Sequence, residues 1–126
     1  MRAIDFIAVF IGGGLGSLCR YAISLMVLRF SESRLPIATL SANVLSCIIM
    51  AAFLIYASTR IPEGAWIRLF ILVGFCGGFS TFSTFSLENF QLIRLGEYTF
   101  LTLNILLSLI LCISVFYFYH KGIKTL

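Results

Sequence analysis

With 126 residues, of which 60% are hydrophobic and only 11% charged, and a mean hydropathy of +1.07, the chain falls outside soluble domains, which carry about 25% charged residues. It reads as an integral membrane protein of one compact unit with a few spans and no separate soluble domain, and any pore built from it calls for a second copy. The net charge of +4 does not point to nucleic acid, because the nine Lys and Arg stand singly, mostly at span ends, with no basic run.

Four apolar segments follow one another at about 4–28, 36–57, 65–95 and 98–119, each reaching the roughly 20 residues a spanning helix requires. Arg2 ahead of an apolar stretch has the look of a secretory leader. Asp5 interrupts it early, however, and the segment runs past Met26 without a small-residue cleavage pattern, so it is read as a retained first span. Within it Gly12, Gly16 and Arg20 recur at helical spacing with Gly13 and Ser17 alongside, a stripe of small residues that lets two backbones approach. Arg20 lies about eight residues from the span's end, where an arginine must snorkel, pair or face a wet cavity. Two readings of it stand equal, a structural anchor or a positive field drawing anions into a vestibule.

In the second segment Thr39, Asn43 and Ser46 share one helix face. Thr39 and Ser46 can bond back to their own helix. Asn43 is harder to satisfy in hydrocarbon, and is either interhelical glue worth about 0.6–2 kcal/mol or an amide N–H aimed at a passing anion.

The third segment is too long. As one helix it would reach about 46 Å against a hydrocarbon core of about 30 Å. It contains the run Gly74 to Ser86, in which Gly77 and Gly78 weaken the helix and Phe residues alternate with hydroxyls. This predicts two half-helices joined by a non-helical break near 77–80. Irregular backbone at membrane depth is tolerated only when buried in protein or lining a hydrated cavity. Helix ends there expose carbonyls and N–H groups, which are ready ligands for ions. Beyond the break Phe82, Phe85 and Glu88 fall on one side of the following half-helix, with the hydroxyls of Ser80, Ser83 and Thr84 around it. In the fourth segment Asn104 and Ser108 stand at i, i+4, with Cys112 one turn on, making a second mildly polar track.

Short links make neighbouring spans antiparallel, so both termini share a side with Arg2, Arg60, Lys121 and Lys124, and Arg68 a turn inside, while Arg29, Arg34 and Arg94 fall opposite. Five against three is a feeble orientation signal. The chain is therefore expected to insert both ways, and two oppositely inserted copies to pair about a two-fold axis in the membrane plane.

The chemical inventory argues against an enzyme. Cys19, Cys47, Cys76 and Cys112 lie in apolar segments without C-x-x-C spacing or His partners and read as small packing residues, and His120 sits at a span end. There is no metal-ligand cluster, no nucleophile with a base, no phosphate loop and no paired carboxylates. What remains is donors, hydroxyls and the positive edges of Phe rings, groups that solvate a small anion without holding it fast.

The run Gly-Phe-Cys-Gly-Gly-Phe-Ser-Thr-Phe-Ser-Thr-Phe-Ser with Glu88 after it, the run Gly-Gly-Gly-Leu-Gly-Ser-Leu-Cys-Arg-Tyr at 12–21, and Thr39-Leu40 with Asn43 together resemble the Fluc fluoride channels, also called CrcB proteins. The likeness extends over the whole chain in length, span number and motif order. It implies an all-α, dual-topology antiparallel homodimer in the bacterial inner membrane, with two narrow pores passing fluoride passively out of the cell. It further implies a structural Na+ at the dimer centre, held by the backbone carbonyls of Gly77 and Ser80 from each copy. Phe82 and Phe85 match the family's pore-facing rings, Asn43 its pore amide, and Ser83, Thr84 and Ser108 its hydroxyl track. Thr39 and Asn104 are placed along the same path, Arg20 at a vestibule, and Glu88 as the acidic residue after the Phe pair. Asn104 departs from the aromatic or His of many relatives, Ser46 from the usual Gly, and Ser80 from the common Thr.

The strongest rival is a small multidrug-resistance-type exporter, which is also short, four-spanning and dual-topology. It needs an acidic residue central in a span to exchange protons for a cationic drug, whereas Asp5 is near an end and Glu88 follows the break.

Overall fold

The computed structural model describes the backbone of residues 2–124 and the side chains of residues 2–121; Met1, Thr125 and Leu126, and the side chains of residues 122–124, lie outside the described residues. Helix α1 (Ala3–Phe30) is followed by α2 (Ile37–Arg60). A composite third span then runs through α3 (Trp66–Arg68), a π-helical stretch (Leu69–Phe75), α4 (Cys76–Phe79) and α5 (Phe82–Arg94), and α6 (Tyr98–Lys124) completes the chain. Among the described residues four helical units are long and apolar enough to cross a membrane, the third being the bent unit Trp66–Arg94.

The turns fix the up-and-down course. At one rim the Arg2 guanidinium donates to Asp5 Oδ1 in its own helix and through Nη2 also to the Gly64 carbonyl at 2.7 Å, joining the start of α1 to the turn after α2. At the other rim Arg34 pairs with Glu97, joining the turn after α1 to the turn before α6. Gly96 closes α5 with φ +72°, so that Glu97 N–H donates to the Leu92 carbonyl and Gly96 N–H to that of Ile93. The Arg68 guanidinium donates to the Ala57 and Ile61 carbonyls at 2.9 and 2.7 Å, satisfying the C-terminal end of α2, where a cation also suits the helix dipole.

The packing is that of a bundle in lipid, with small residues inside and large ones outside. Ala8, Ala42, Ala51 and Ala57 are buried, whereas Phe10, Leu28, Phe30 and Phe118 are turned outward. The tightest seam joins α1 to the first half of the third span, where Gly12 lies on Gly74, Gly16 on the Phe75 and Phe79 backbone, and Gly78 on Gly13. A Cβ on Gly16 would stand 2.1 Å from the Phe75 carbonyl oxygen and one on Gly78 only 2.3 Å from that of Gly13. Backbone therefore lies on backbone. The first-span glycines make the close approach their spacing suggested, and the second glycine of the Gly77-Gly78 pair is used for the same purpose.

Where the third span breaks differs from the glycine-centred expectation. Gly77 and Gly78 lie within α4, and the chain leaves helical geometry at Ser80 (φ −78°, ψ 159°) and Thr81 (φ −153°, ψ 120°). The reason is local hydrogen bonding. In an unbroken helix the Thr81 N–H would go to the Gly77 carbonyl; here it donates to Asn43 Oδ1 at 2.7 Å. The Thr84 N–H, which would go to the Ser80 carbonyl, donates instead to Thr81 Oγ1 at 3.2 Å, an N-cap that starts α5. A π-helical stretch precedes the break, with the Cys76 N–H reaching back to the Ile71 carbonyl, a local widening common in functional spans.

Candidate functional site

The break is held from α2. Asn43 accepts the Thr81 N–H and donates its Nδ2 to the Thr81 carbonyl at 3.3 Å, so one amide side chain replaces the helical acceptor that the Thr81 N–H has lost and adds a second donor to the carbonyl that opens α5. One turn further along α2, the buried Ser46 donates to the Cys76 carbonyl at 2.9 Å, an oxygen that also receives the Ser80 N–H and hydroxyl. Both α2 residues tie down the broken span. Thr39, on the same face, donates to Glu88 Oε1 at 2.6 Å, so neither Thr39 nor Ser46 bonds back to its own helix.

Beside the break lies a cavity of about 250 Å³ lined by Asn43 and Cys47 of α2, Ser80, Thr81, Phe82 and Phe85 of the third span, and Ser108, Leu109 and Cys112 of α6. Its walls follow from helical spacing: Asn43 and Cys47 are one turn apart on α2, as are Ser108 and Cys112 on α6, and α2 packs along α6. The Phe82 and Phe85 rings are tilted by 36° with centroids 5.9 Å apart, and Phe82 is 80% exposed at the edge of the chain. The Ser108 hydroxyl is buried without a hydrogen-bonding partner. An unpaired buried hydroxyl costs about 1–3 kcal/mol, which marks Ser108 as the one cavity-lining residue among those described whose polar atom is buried without a partner.

The structure thus brings Asn43, Phe82, Phe85 and Ser108 together and leaves other sequence candidates apart. Ser83 and Thr84 do not line the cavity; their hydroxyls lie 3.2 and 3.0 Å from Thr81 Oγ1, in the cap of α5. Asn104, 1% exposed, donates to Asn89 Oδ1 at 2.8 Å and pins α6 to α5 behind the cavity. Glu88 keeps one carboxylate oxygen on Thr39 and the other buried without a partner. On the far side of the span, Arg20 Nε donates to the Gly78 carbonyl at 3.2 Å, which makes Arg20 an anchor of the end of α4 and puts it outside the cavity lining. Gly77 is exposed, and a Cβ there would meet nothing within 4 Å.

Thr81 is the principal residue that sequence reasoning passed over. Its signal was present: a Thr immediately before the first residue of a helix that follows a break is an N-cap pattern. Cys47 was also missed as a wall residue, although it stands one turn beyond Asn43.

Fold and site together define a class: a four-span, all-helical membrane protein whose third span is interrupted beside a small cavity of amide, hydroxyl and aromatic groups. Comparison with known proteins narrows it. The family described as "CrcB-like protein, Camphor Resistance (CrcB)" matches residues 7–120, and the chain belongs to that family. Among curated relatives, the "Fluoride-specific ion channel FluC" of Azobacteroides pseudotrichonymphae genomovar. CFP2 is 42% identical over 102 residues, covering 79% of this chain and 80% of the relative. Its namesake in Coxiella burnetii (strain CbuK_Q154) is 36% identical over 112 residues, covering 88% and 90%. That of Serratia proteamaculans (strain 568) is 42% identical over 106 residues, covering 83% and 82%.

Proposed function

We propose that two antiparallel copies of this chain form a passive fluoride channel of the bacterial inner membrane, which lowers cytoplasmic fluoride. The observation that carries the reading is the cavity beside the break, where the unpartnered Ser108 hydroxyl shares a wall with the Asn43 amide and the Phe82 and Phe85 rings. Weak donors and ring edges without a fixed counter-charge suit an anion that must enter and then leave. The names of the relatives add the ion's identity. Fluoride enters acid-stressed cells as neutral HF and ionises inside, so a passive anion path suffices to export it. Chloride is excluded by a passage too narrow for it, and dense donors replace fluoride's tight water shell.

The second copy and the sodium ion belong to the same proposal. Gly77 and Ser80 fit the ion in one respect: the Thr81 and Thr84 amides that would have capped their carbonyls are engaged elsewhere, and Gly77 lies on an open face. Such carbonyls from two copies would hold a bound Na+, which would fix the two breaks against each other.

Fluoride efflux from liposomes loaded with the purified protein, with chloride as control, tests the reading. Rapid fluoride efflux without chloride efflux is the expected result. A reconstituted dimer impermeable to fluoride overturns it, as does proton-coupled uptake of a lipophilic cation, the behaviour of a drug exporter.

A further inference from the structure

The cavity holds a chemistry that an anion path does not require. Cys47 of α2 and Cys112 of α6 both stand in its wall, each one helical turn beyond a polar wall residue, Asn43 and Ser108. The two helices that carry them pack along each other, so both residues border the same opening of about 250 Å³. Cys76 is fully buried and does not line the cavity, and Cys19 is exposed on α1. The pair is therefore a built feature, two sulfurs from two packed helices meeting in one opening. In the same wall the Ser108 hydroxyl is buried, 7% exposed as a residue, and without a partner.

We propose that Cys47 and Cys112 form a two-coordinate site for a soft divalent cation of the mercuric type, and that its occupancy closes the cavity to fluoride. The closure, though not the binding, rests on the channel reading given above.

Three considerations select this ligand class. Thiolates choose soft metals, and among the described residues no group of three or more His, Cys, Asp or Glu is arranged to hold a metal, so a tetrahedral ion such as zinc lacks ligands. A linear bis-thiolate needs only two. Charge decides between soft ions. Two thiolates on a monovalent ion such as Ag+ leave a net negative charge in hydrocarbon, whereas two on a divalent ion give a neutral adduct that avoids the cost of burying charge. Ser108, one helical turn before Cys112, adds a polar residue to the same wall.

The step balances without redox chemistry. Mercuric chloride reaches the cavity as a neutral dihalide; two S–H and two Hg–Cl bonds break, two S–Hg bonds form, and two protons leave with two chlorides. Because binding releases protons, it strengthens as pH rises.

The test uses the full-length chain carrying Cys19→Ser, purified in detergent and in parallel reconstituted in liposomes. Adding one equivalent of mercuric chloride should produce the far-ultraviolet thiolate-to-mercury difference absorption of a two-coordinate site, without the near-ultraviolet band of higher coordination, and remove two thiols from a colorimetric count. Cys47→Ser and Cys112→Ser, each in that background, should bind at least about a hundredfold more weakly, because a single tethered ligand replaces a chelating pair. In liposomes the parent's fluoride efflux should fall at least about tenfold and return on adding a dithiol, while each serine variant keeps its own untreated rate. Equal binding by parent and serine variants overturns the site. Tight binding to the pair with undiminished efflux overturns the closure. A parent that shows no efflux before mercury but still binds it through the pair leaves the site standing and refutes the channel reading and the closure that rests on it.

Discussion

At the residue scale, Asn43 illustrates how much a sequence reveals about a polar group in lipid. That it needed partners was legible, because an amide in a spanning helix cannot be left unpaired. Which partners it takes was not, because they lie on a different span. Its oxygen and nitrogen both turn to the Thr81 peptide, so Asn43 is glue between spans and a wall of the cavity at once. Asn43→Ala should leave the Thr81 N–H and carbonyl without these bonds and cost about 1–3 kcal/mol, visible as a lower melting temperature in detergent. An unchanged melting temperature would show that water replaces the amide freely. The Phe pair makes the complementary case, in which the flux and not the fold is at stake. Phe85→Ile keeps an apolar side chain but removes the ring edge from the wall. Fluoride efflux is expected to fall about tenfold or more, the equivalent of about 1.4 kcal/mol of lost ring-edge stabilisation, with melting little changed. Full efflux from this variant would take Phe85 out of the ion's path.

At the scale of the element, the third span was read correctly as too long and interrupted, since length and hydropathy are local properties of the chain. The position of the interruption was harder. Glycine lowers helix propensity wherever it stands, but Gly78 lies in a helical turn because α1 presses on it, with the Gly13 carbonyl where a side chain would be. A tertiary contact thus keeps the glycine pair helical and moves the break to the far edge of the expected 77–80 window. The departure from helix comes two and three residues later, at Ser80 and Thr81, where Thr81 turns its amide to α2 and its hydroxyl to the next helix. The Ser83 and Thr84 hydroxyls, candidates for the ion path by family resemblance, are drawn into that cap for the same reason. The cap is separable from the rest of the break by mutation. Thr81→Ala removes the Oγ1 acceptor of the Thr84 N–H and should destabilise the protein by about 1 kcal/mol, whereas Thr81→Ser, which keeps a hydroxyl, should retain most of that stability. Thermal melting of the two variants side by side checks this. Equal losses in both would assign the effect to packing of the Thr81 methyl.

At the scale of the whole molecule, the single chain buries little beyond alanines, glycines and a few polar groups, while Phe82 and the open face at Gly77 stand at its edge. The turn contacts, Arg2 to Gly64 at one rim and Arg34 to Glu97 at the other, place the Lys and Arg residues in two groups too similar in size for a firm orientation. If function requires one copy in each orientation, fixing the orientation should remove it. Glu32 and Ser33 are exposed in the turn after α1, and Thr59 and Glu63 are exposed near the end of α2 on the opposite rim. Glu32→Lys with Ser33→Lys biases one rim toward the cytoplasm, and Thr59→Lys with Glu63→Lys biases the other. Each double variant alone should give about tenfold less fluoride export from cells than the parent, because charge near span ends sets topology and leaves no opposite partner. Co-expression of the two should restore export, since each then supplies the orientation the other lacks. Full export from either variant by itself, with its uniform orientation verified by labelling of introduced turn cysteines, would mean that parallel copies or single chains suffice.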